Sequence, residues 1–130
     1  KELLTFLSKK FENVIKEYPV IKRPWGSYEV FMVGKHYLVK KLIIKPKSSI
    51  SLQKHKFRSE HWVVVKGTGR FYFDEEIYKV KVNESIYIPK LKKHKIENMG
   101  KTDLIIIEVQ TGAYLSEDDV IRFSDNYGRV

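Results

Sequence analysis

Gln53-Lys54-His55-Lys56-Phe57-Arg58-Ser59-Glu60-His61-Trp62-Val63-Val64-Val65 is the stretch on which the reading turns. On an extended strand Gln53 and His55 face the same side, because side chains alternate. A short polar link follows, and Glu60 opens an apolar run rich in β-branched and aromatic residues, the composition of a strand. Within that run Trp62 shares the face of Glu60, whereas His61 alternates away from it. Far downstream, His94 follows Pro89 in a third segment. Three strands converging on one pocket would bring Gln53, His55, Glu60 and His94 to a single ion. Oxygen and imidazole donors suit zinc or another divalent transition metal. One carboxylate and three neutral donors leave such an ion with net positive charge, so it remains a useful Lewis acid.

Outward from this stretch the chain reads as β throughout. Strands are expected near 27–33, 36–45, 50–54, 60–66, 69–74, 77–82, 85–88, 93–98 and 103–110, punctuated by Gly34, Gly67, Gly69, Asn83 and Gly100. Many short strands with no intervening helix indicate a sandwich, barrel or jelly roll. Two helical features flank them. Leu3, Leu4, Leu7, Phe11, Val14 and Ile15 recur at spacings of three and four, which predicts an amphipathic helix over 2–17 that Pro19 ends. Ser116 followed by Glu117, Asp118 and Asp119 predicts a helical turn over 116–121. There is no internal repeat. The expected organisation is a helix and linker over 1–20, then one β domain with a C-terminal tail over 21–130.

Composition narrows the function. The 130 residues fit one domain, and 42% hydrophobic content supports a core. Cysteine is absent, which excludes disulfides, thiolate nucleophiles and cysteine-based zinc sites. No apolar run approaches the ~20 residues that span a membrane, and no secretory signal is visible. These features fit a cytoplasmic protein with no membrane partner. The net charge of +9 suits anionic partners. A lysine-rich solvated surface is the first reading of that charge; the basic residues form no long block and no nucleic-acid module is present, so nucleic acid is not expected, and a phosphate on a small substrate needs only one or two of them. Lys1 rather than methionine opens the sequence, as in a trimmed chain or a piece of a longer protein.

Gln53-x-His55-x4-Glu60-x6-Gly67 resembles the first motif of the cupin superfamily, and Pro89 to Asn98, with His94 inside it, resembles the second. Glutamine stands where the first cupin ligand is commonly histidine, and Leu91 stands where a glycine is usual. Arg23-Pro24-Trp25-Gly26-Ser27-Tyr28, Ser51-Leu52-Gln53, Glu60-His61-Trp62-Val63-Val64-Val65, Ile88-Pro89, Glu108-Val109-Gln110-Thr111-Gly112 and Arg122-Phe123-Ser124-Asp125-Asn126-Tyr127-Gly128-Arg129 follow in that order. Together they resemble the type II phosphomannose isomerase family, in which this domain stands alone or follows a mannose-1-phosphate guanylyltransferase domain. Members often carry a run of histidines where this chain has Lys56 and Phe57.

The resemblance implies an all-β cupin jelly roll, here with the amphipathic helix in front. It implies Gln53, His55, Glu60 and His94 as ligands of a divalent metal, zinc first, with manganese, cobalt, nickel or iron as alternatives. It implies interconversion of mannose 6-phosphate and fructose 6-phosphate through an enediol. Glu108 and Gln110 share one face of the last long strand. Glu108 is the candidate base and equally a carboxylate paired with a structural lysine; Gln110 is a candidate substrate contact. Arg122 is the candidate catalytic cation, able to clamp phosphate or an enediolate oxygen, or else a tail ion pair to Asp118, Asp119 or Asp125. Arg58 and Lys54 are the next phosphate candidates. Arg23 either meets substrate or ties the entry segment down. Asp125, Tyr127 and Arg129 are expected to anchor the tail. His61 is expected to support the ligands from behind or to be structural, and Trp62 to form pocket wall or core, with core favoured. Jelly-roll edges and the helix stripe favour a homodimer. No phosphate-cradling glycine loop or nucleotidyltransferase signature is present, so guanylyl transfer by these residues is not expected. A non-catalytic sugar- or nucleotide-sugar-binding cupin, or a cupin acting on another phosphosugar, remains the competing reading.

Overall fold

The computed structural model describes residues 19–124. The expected helix over 2–17 and the tail anchors Asp125, Tyr127 and Arg129 lie outside them. The described residues form eleven strands, all antiparallel: β1 (Val20–Arg23), β2 (Gly26–Val33), β3 (Tyr37–Ile44), β4 (Leu52–Lys54), β5 (Arg58–Lys66), β6 (Thr68–Phe73), β7 (Glu76–Lys81), β8 (Ser85–Ile88), β9 (His94–Asn98), β10 (Leu104–Gly112) and β11 (Ile121–Ser124). They make a six-stranded sheet, β1-β2-β3-β10-β5-β8, and a five-stranded sheet, β11-β4-β9-β6-β7. No helix among the described residues is long and apolar enough to cross a membrane.

Strict alternation builds the interior. On β10 the buried residues are Leu104, Ile106, Glu108 and Gln110; on β3 they are Leu38, Lys40, Leu42 and Ile44; on β5 they are Arg58, Glu60, Trp62 and Val64. The register aligns these sets. Ile106 pairs with Leu42 and Val64, Glu108 with Lys40 and Trp62, and Gln110 with Leu38 and Glu60. One continuous inward face therefore changes character along its strands. Its closed end is apolar, with Ile44, Val64, Leu104 and Ile106 packed against Phe71, Ile88 and Ile96 from the other strands. Its other end carries Lys40, Arg58, Glu60, Glu108 and Gln110, all buried. Buried charges survive only when paired or ligated, so the apolar end fixes the fold and the polar end needs a purpose.

The turns answer to local sequence. Gly67 links β5 to β6 at φ 88°, and a Cβ there would meet the Asp103 carbonyl oxygen at 2.9 Å. Leu91 takes φ 66° in the bend before β9, and its amide donates to the His55 carbonyl at 2.8 Å. The usual cupin glycine sits at that bend, and its left-handed conformation supplies the physical reason.

Two sequence expectations are corrected. Residues 116–121 form no helical turn: the chain makes a tight turn at Glu117–Asp118, closed by the Asp119 amide on the Ser116 carbonyl at 3.1 Å, and enters β11. Asp119 explains the difference, because its carboxylate caps the distant amides of Lys56 and Phe57 rather than its own segment. The edge strands β1 and β11 were absent from the sequence reading. Both are short, and β11 was hidden beneath the acidic helix-start signal.

Candidate metal centre and adjoining hollow

His55 directly follows β4, Glu60 lies in β5 and His94 opens β9. One donor atom from each lies within 4.8 Å of the others. Glu60 bridges the histidines, with Oε2 3.6 Å from His55 Nε2 and Oε1 3.5 Å from His94 Nε2. All three side chains are almost fully buried. Each histidine is oriented from behind. His55 Nδ1 lies 2.6 Å from the Asp119 carbonyl oxygen, and His94 Nδ1 lies 2.9 Å from that of Lys92. A carbonyl only accepts, so both Nδ1 atoms carry the proton and both Nε2 lone pairs turn toward Glu60.

These residues fit a metal ion. His94 Nε2 and Glu60 Oε1 face each other and have no other partner, and unpartnered buried polar atoms are rare. The other carboxylate oxygen, Oε2, accepts from Arg58 Nε at 3.0 Å. Burial pushes the His55 imidazole down to about 4, with the Arg58 and His94 charges adding and Glu60 opposing. Burial would raise Glu60, but the His94 ring 3.5 Å away and the charges of His55 and Arg58 hold its carboxyl well below the usual range. At neutral pH His55 is therefore a neutral imidazole beside an ionised Glu60, the ligating forms. Gln53 stands opposite His94 in the β4–β9 ladder, and its Oε1 accepts from Ser51 Oγ at 2.9 Å.

Beside this cluster opens a hollow of about 540 Å³, counting its mouth. Gln53 and His55 line it, with Trp25, Leu42, Ile50 and Trp62 as apolar wall. Arg23, Lys40, Arg58, Arg122, Glu108 and Glu117 supply its charge. Lys40 Nζ lies 2.9 Å from Glu117 Oε1, 3.5 Å from Glu108 Oε2 and 4.4 Å from the centre of the Tyr28 ring. Burial works against the Lys40 ammonium, yet Glu108, Glu117 and Glu60 outweigh it and raise its pKa. Burial, seconded by the Glu60 charge, pushes Glu108 up against the pull of Lys40 and Arg58.

The expected site residues divide. Glu108 is buried, paired with Lys40, and accepts from Gln110 Nε2 at 2.7 Å. Gln110 faces Glu60 across the β5–β10 ladder. Arg122 pairs in register with Gln53; among the described residues its buried Nε has no hydrogen-bond partner and it forms no ion pair with Asp118 or Asp119. Arg23 reaches the mouth, 3.5 Å from the Tyr28 hydroxyl. Arg58 spends all three guanidinium nitrogens on Glu60, His55 and the Ser116 carbonyl, so it braces ligands rather than waiting for phosphate. Lys54 is displaced from the site by alternation on β4: its Nζ lies over the Phe123 ring at 5.5 Å and it does not line the hollow. His61 is exposed against Tyr87, as expected of a structural residue. Trp62 is core and pocket wall at once.

Lys40, Glu117 and Asp119 were missed as site residues. Lys40 had a signal, since it falls on the same strand face as Leu38, Leu42 and Ile44, where a charge is anomalous. Asp119 had none: its carboxylate accepts from the Lys56 and Phe57 amides at 2.9 and 3.0 Å across more than sixty residues.

Fold and site together define a cupin, a double-stranded β-helix with a carboxylate–histidine cluster inside. A Klebsiella pneumoniae protein with a double-stranded β-helix domain superimposes with a TM-score of 0.71 at 14% identity, over 85% of this chain and 95% of that one, a likeness of fold alone. The model of the mannose-6-phosphate isomerase C-terminal family matches residues 10–125, and the chain belongs to that family. It is 50% identical over 110 residues to the mannose-1-phosphate guanylyltransferase ManC of Salmonella typhimurium, covering 85% of this chain and 23% of that protein. It is 43% identical over 130 residues to the alginate biosynthesis protein AlgA of Pseudomonas putida, covering 100% of this chain and 27% of that protein. The chain thus spans about a quarter of the length of these relatives.

Proposed function

We propose that this domain is a metal-dependent aldose–ketose isomerase, interconverting mannose 6-phosphate and fructose 6-phosphate in the cytoplasm. The observation that carries the reading is a buried Lys40–Glu108 pair in a hollow that His55, one member of the His55–Glu60–His94 cluster, also lines. His55, Glu60 and His94 would hold the ion, with Gln53 as the fourth donor. Such an ion supplies Lewis acidity for the negative charge that develops on the sugar oxygens.

The remaining work falls to side chains. As the C1 carbonyl pair of the open-chain sugar moves onto O1 and the O2 hydroxyl proton passes to O1, the C2–H electron pair becomes the C1–C2 double bond of the enediolate, and Glu108 takes the proton from C2. The protonated Glu108 then returns that proton to C1. A carboxyl pushed upward by burial holds a proton better than a free one, which suits a group that must both take and return it. A positioned base of this kind is worth about a hundredfold to ten-thousandfold. Lys40 keeps Glu108 ionised between turnovers, and Gln110 fixes its rotamer. Arg122 receives phosphate at its unpartnered Nε, and Arg23 meets the substrate at the mouth. Trp25, Leu42, Ile50 and Trp62 exclude water from the reacting carbons.

Incubation of the purified protein with mannose 6-phosphate tests the reading. Fructose 6-phosphate should form, disappear after chelation and return with added metal. A second reading, a sugar-phosphate-binding module without turnover, draws on Arg58, whose guanidinium lies 3.0 Å from Glu60 Oε2 and 3.4 Å from His55 Nε2. Binding without conversion, in fully metallated protein, would select it.

A further inference from the structure

We propose that Glu117 is a built-in, displaceable occupant of the substrate's anion position, and that the incoming phosphate exchanges with it on Lys40. The proposal takes from the isomerase reading only the identity of the ligand as a sugar phosphate.

Lys40 has two carboxylate partners of opposite character. Glu108 is 3% exposed, lies 3.5 Å away and spends its Oε2 on Gln110 at 2.7 Å. Glu117 is 51% exposed at its side chain, lies 2.9 Å away and sits in the turn between β10 and β11. The closer contact therefore belongs to the partner that can leave. Its neighbours in the turn cannot: the Ser116 carbonyl is held by Arg58, and the Asp119 carboxylate and carbonyl are held by Lys56, Phe57 and His55. Departure of Glu117 thus needs only a side-chain rotation into solvent, with the turn fixed.

The hollow around it is built for an anion. Arg23, Lys40 and Arg122 line it, beside an Arg58 already committed to Glu60, His55 and the Ser116 carbonyl, against two acidic side chains, Glu108 and Glu117. Arg122 adds an independent sign, because its buried Nε has no partner among the described residues. Lys40 and Arg58 hold the Glu117 carboxyl below its usual range, against burial and the Glu60 charge, so it is an anion at neutral pH. With Glu117 swung away, Lys40 keeps Glu108 and regains one free direction toward the phosphate. A seated carboxylate keeps the buried lysine satisfied in the resting protein and rejects ligands too weakly charged to displace it.

The test is phosphate binding by titration calorimetry at constant ionic strength, using inorganic phosphate, mannose 6-phosphate and uncharged mannose as probes. Like charges brought together cost several kcal/mol, so Glu117→Gln should tighten inorganic phosphate by roughly tenfold or more and leave mannose unchanged. Arg122→Gln should weaken phosphate in both backgrounds. Glu117→Ser repeats the test should the glutamine variant fold poorly. Phosphate affinity that is unchanged or weaker in Glu117→Gln overturns the proposal, as does an equal gain for mannose. The isomerase reading fails separately: phosphate exchange without conversion of mannose 6-phosphate would remove the enzyme and keep the exchange.

Discussion

Replacing Asp119 by alanine should damage both the fold and the metal centre, although Asp119 is not a proposed ligand. Its carboxylate is 6% exposed at the residue level and accepts two backbone amides, Lys56 at 2.9 Å and Phe57 at 3.0 Å. Those amides belong to the link between ligands His55 and Glu60. Hydrogen bonds to a charged group contribute about 1.5–3 kcal/mol each, and donors left unpaired lose the compensation for their desolvation. Two such bonds give an expected loss of about 3–6 kcal/mol. For a domain of this size that is a fall in Tm of about 10–25 °C. Alanine keeps the backbone carbonyl that orients His55 Nδ1, so metal affinity should fall only through the loosened 56–57 link, by less than the about 10–100-fold that losing a ligand's outer partner costs. Asp119→Asn keeps one acceptor oxygen and should lose about half as much stability. Urea unfolding of the metal-free protein gives the first number and competitive metal titration the second. An alanine variant within about 1 kcal/mol of the parent, with unaltered metal affinity, would refute the strap described here.

Leu91 is 55% exposed and held at φ 66°; Leu91→Gly removes about 1–2 kcal/mol of left-handed strain and adds about 0.5–1 kcal/mol of unfolded-state entropy, so thermal unfolding should show equal or slightly higher stability. Leu91→Val should be clearly destabilised. The metal-free protein should lose stability as pH falls from 6.5 toward 4: His55 is pushed down to about 4 in the fold, so below its ordinary value the unfolded chain binds the proton more readily, and the loss reaches up to about 3 kcal/mol. Unfolding midpoints across that window check the sign; rising stability on acidification would contradict it. Zinc at a hundred times its Kd should raise stability by about 2.7 kcal/mol, and Glu60→Gln or His94→Ala should abolish that increment.

Much of the fold was legible because its strands announce themselves. The nine expected strands lie within two residues of β2 to β10 at almost every boundary, since the buried residues of β3, β5 and β10 alternate without a break. What escaped was non-local. β11 exists because it pairs with β4 and Asp119 caps the His55 link, and no window of local sequence contains either relation. The ligand-forming residues could be picked out because histidine is scarce here and the motif order is specific. The ionic side of the hollow could not, except for Lys40, whose place among Leu38, Leu42 and Ile44 was an unread clue. Lys54 shows the converse: closeness in sequence to His55 suggested a role that alternation forbids.

Anomalous diffraction from crystals of the zinc-loaded protein, recorded across the zinc edge, tests the central claim most directly. One strong internal peak is expected at bonding distance, about 2.0–2.2 Å, from His55 Nε2, His94 Nε2 and the Glu60 carboxylate. Zinc found only on exposed His36 or His61, with the His55–Glu60–His94 cluster free of it in fully loaded protein, would contradict the claim.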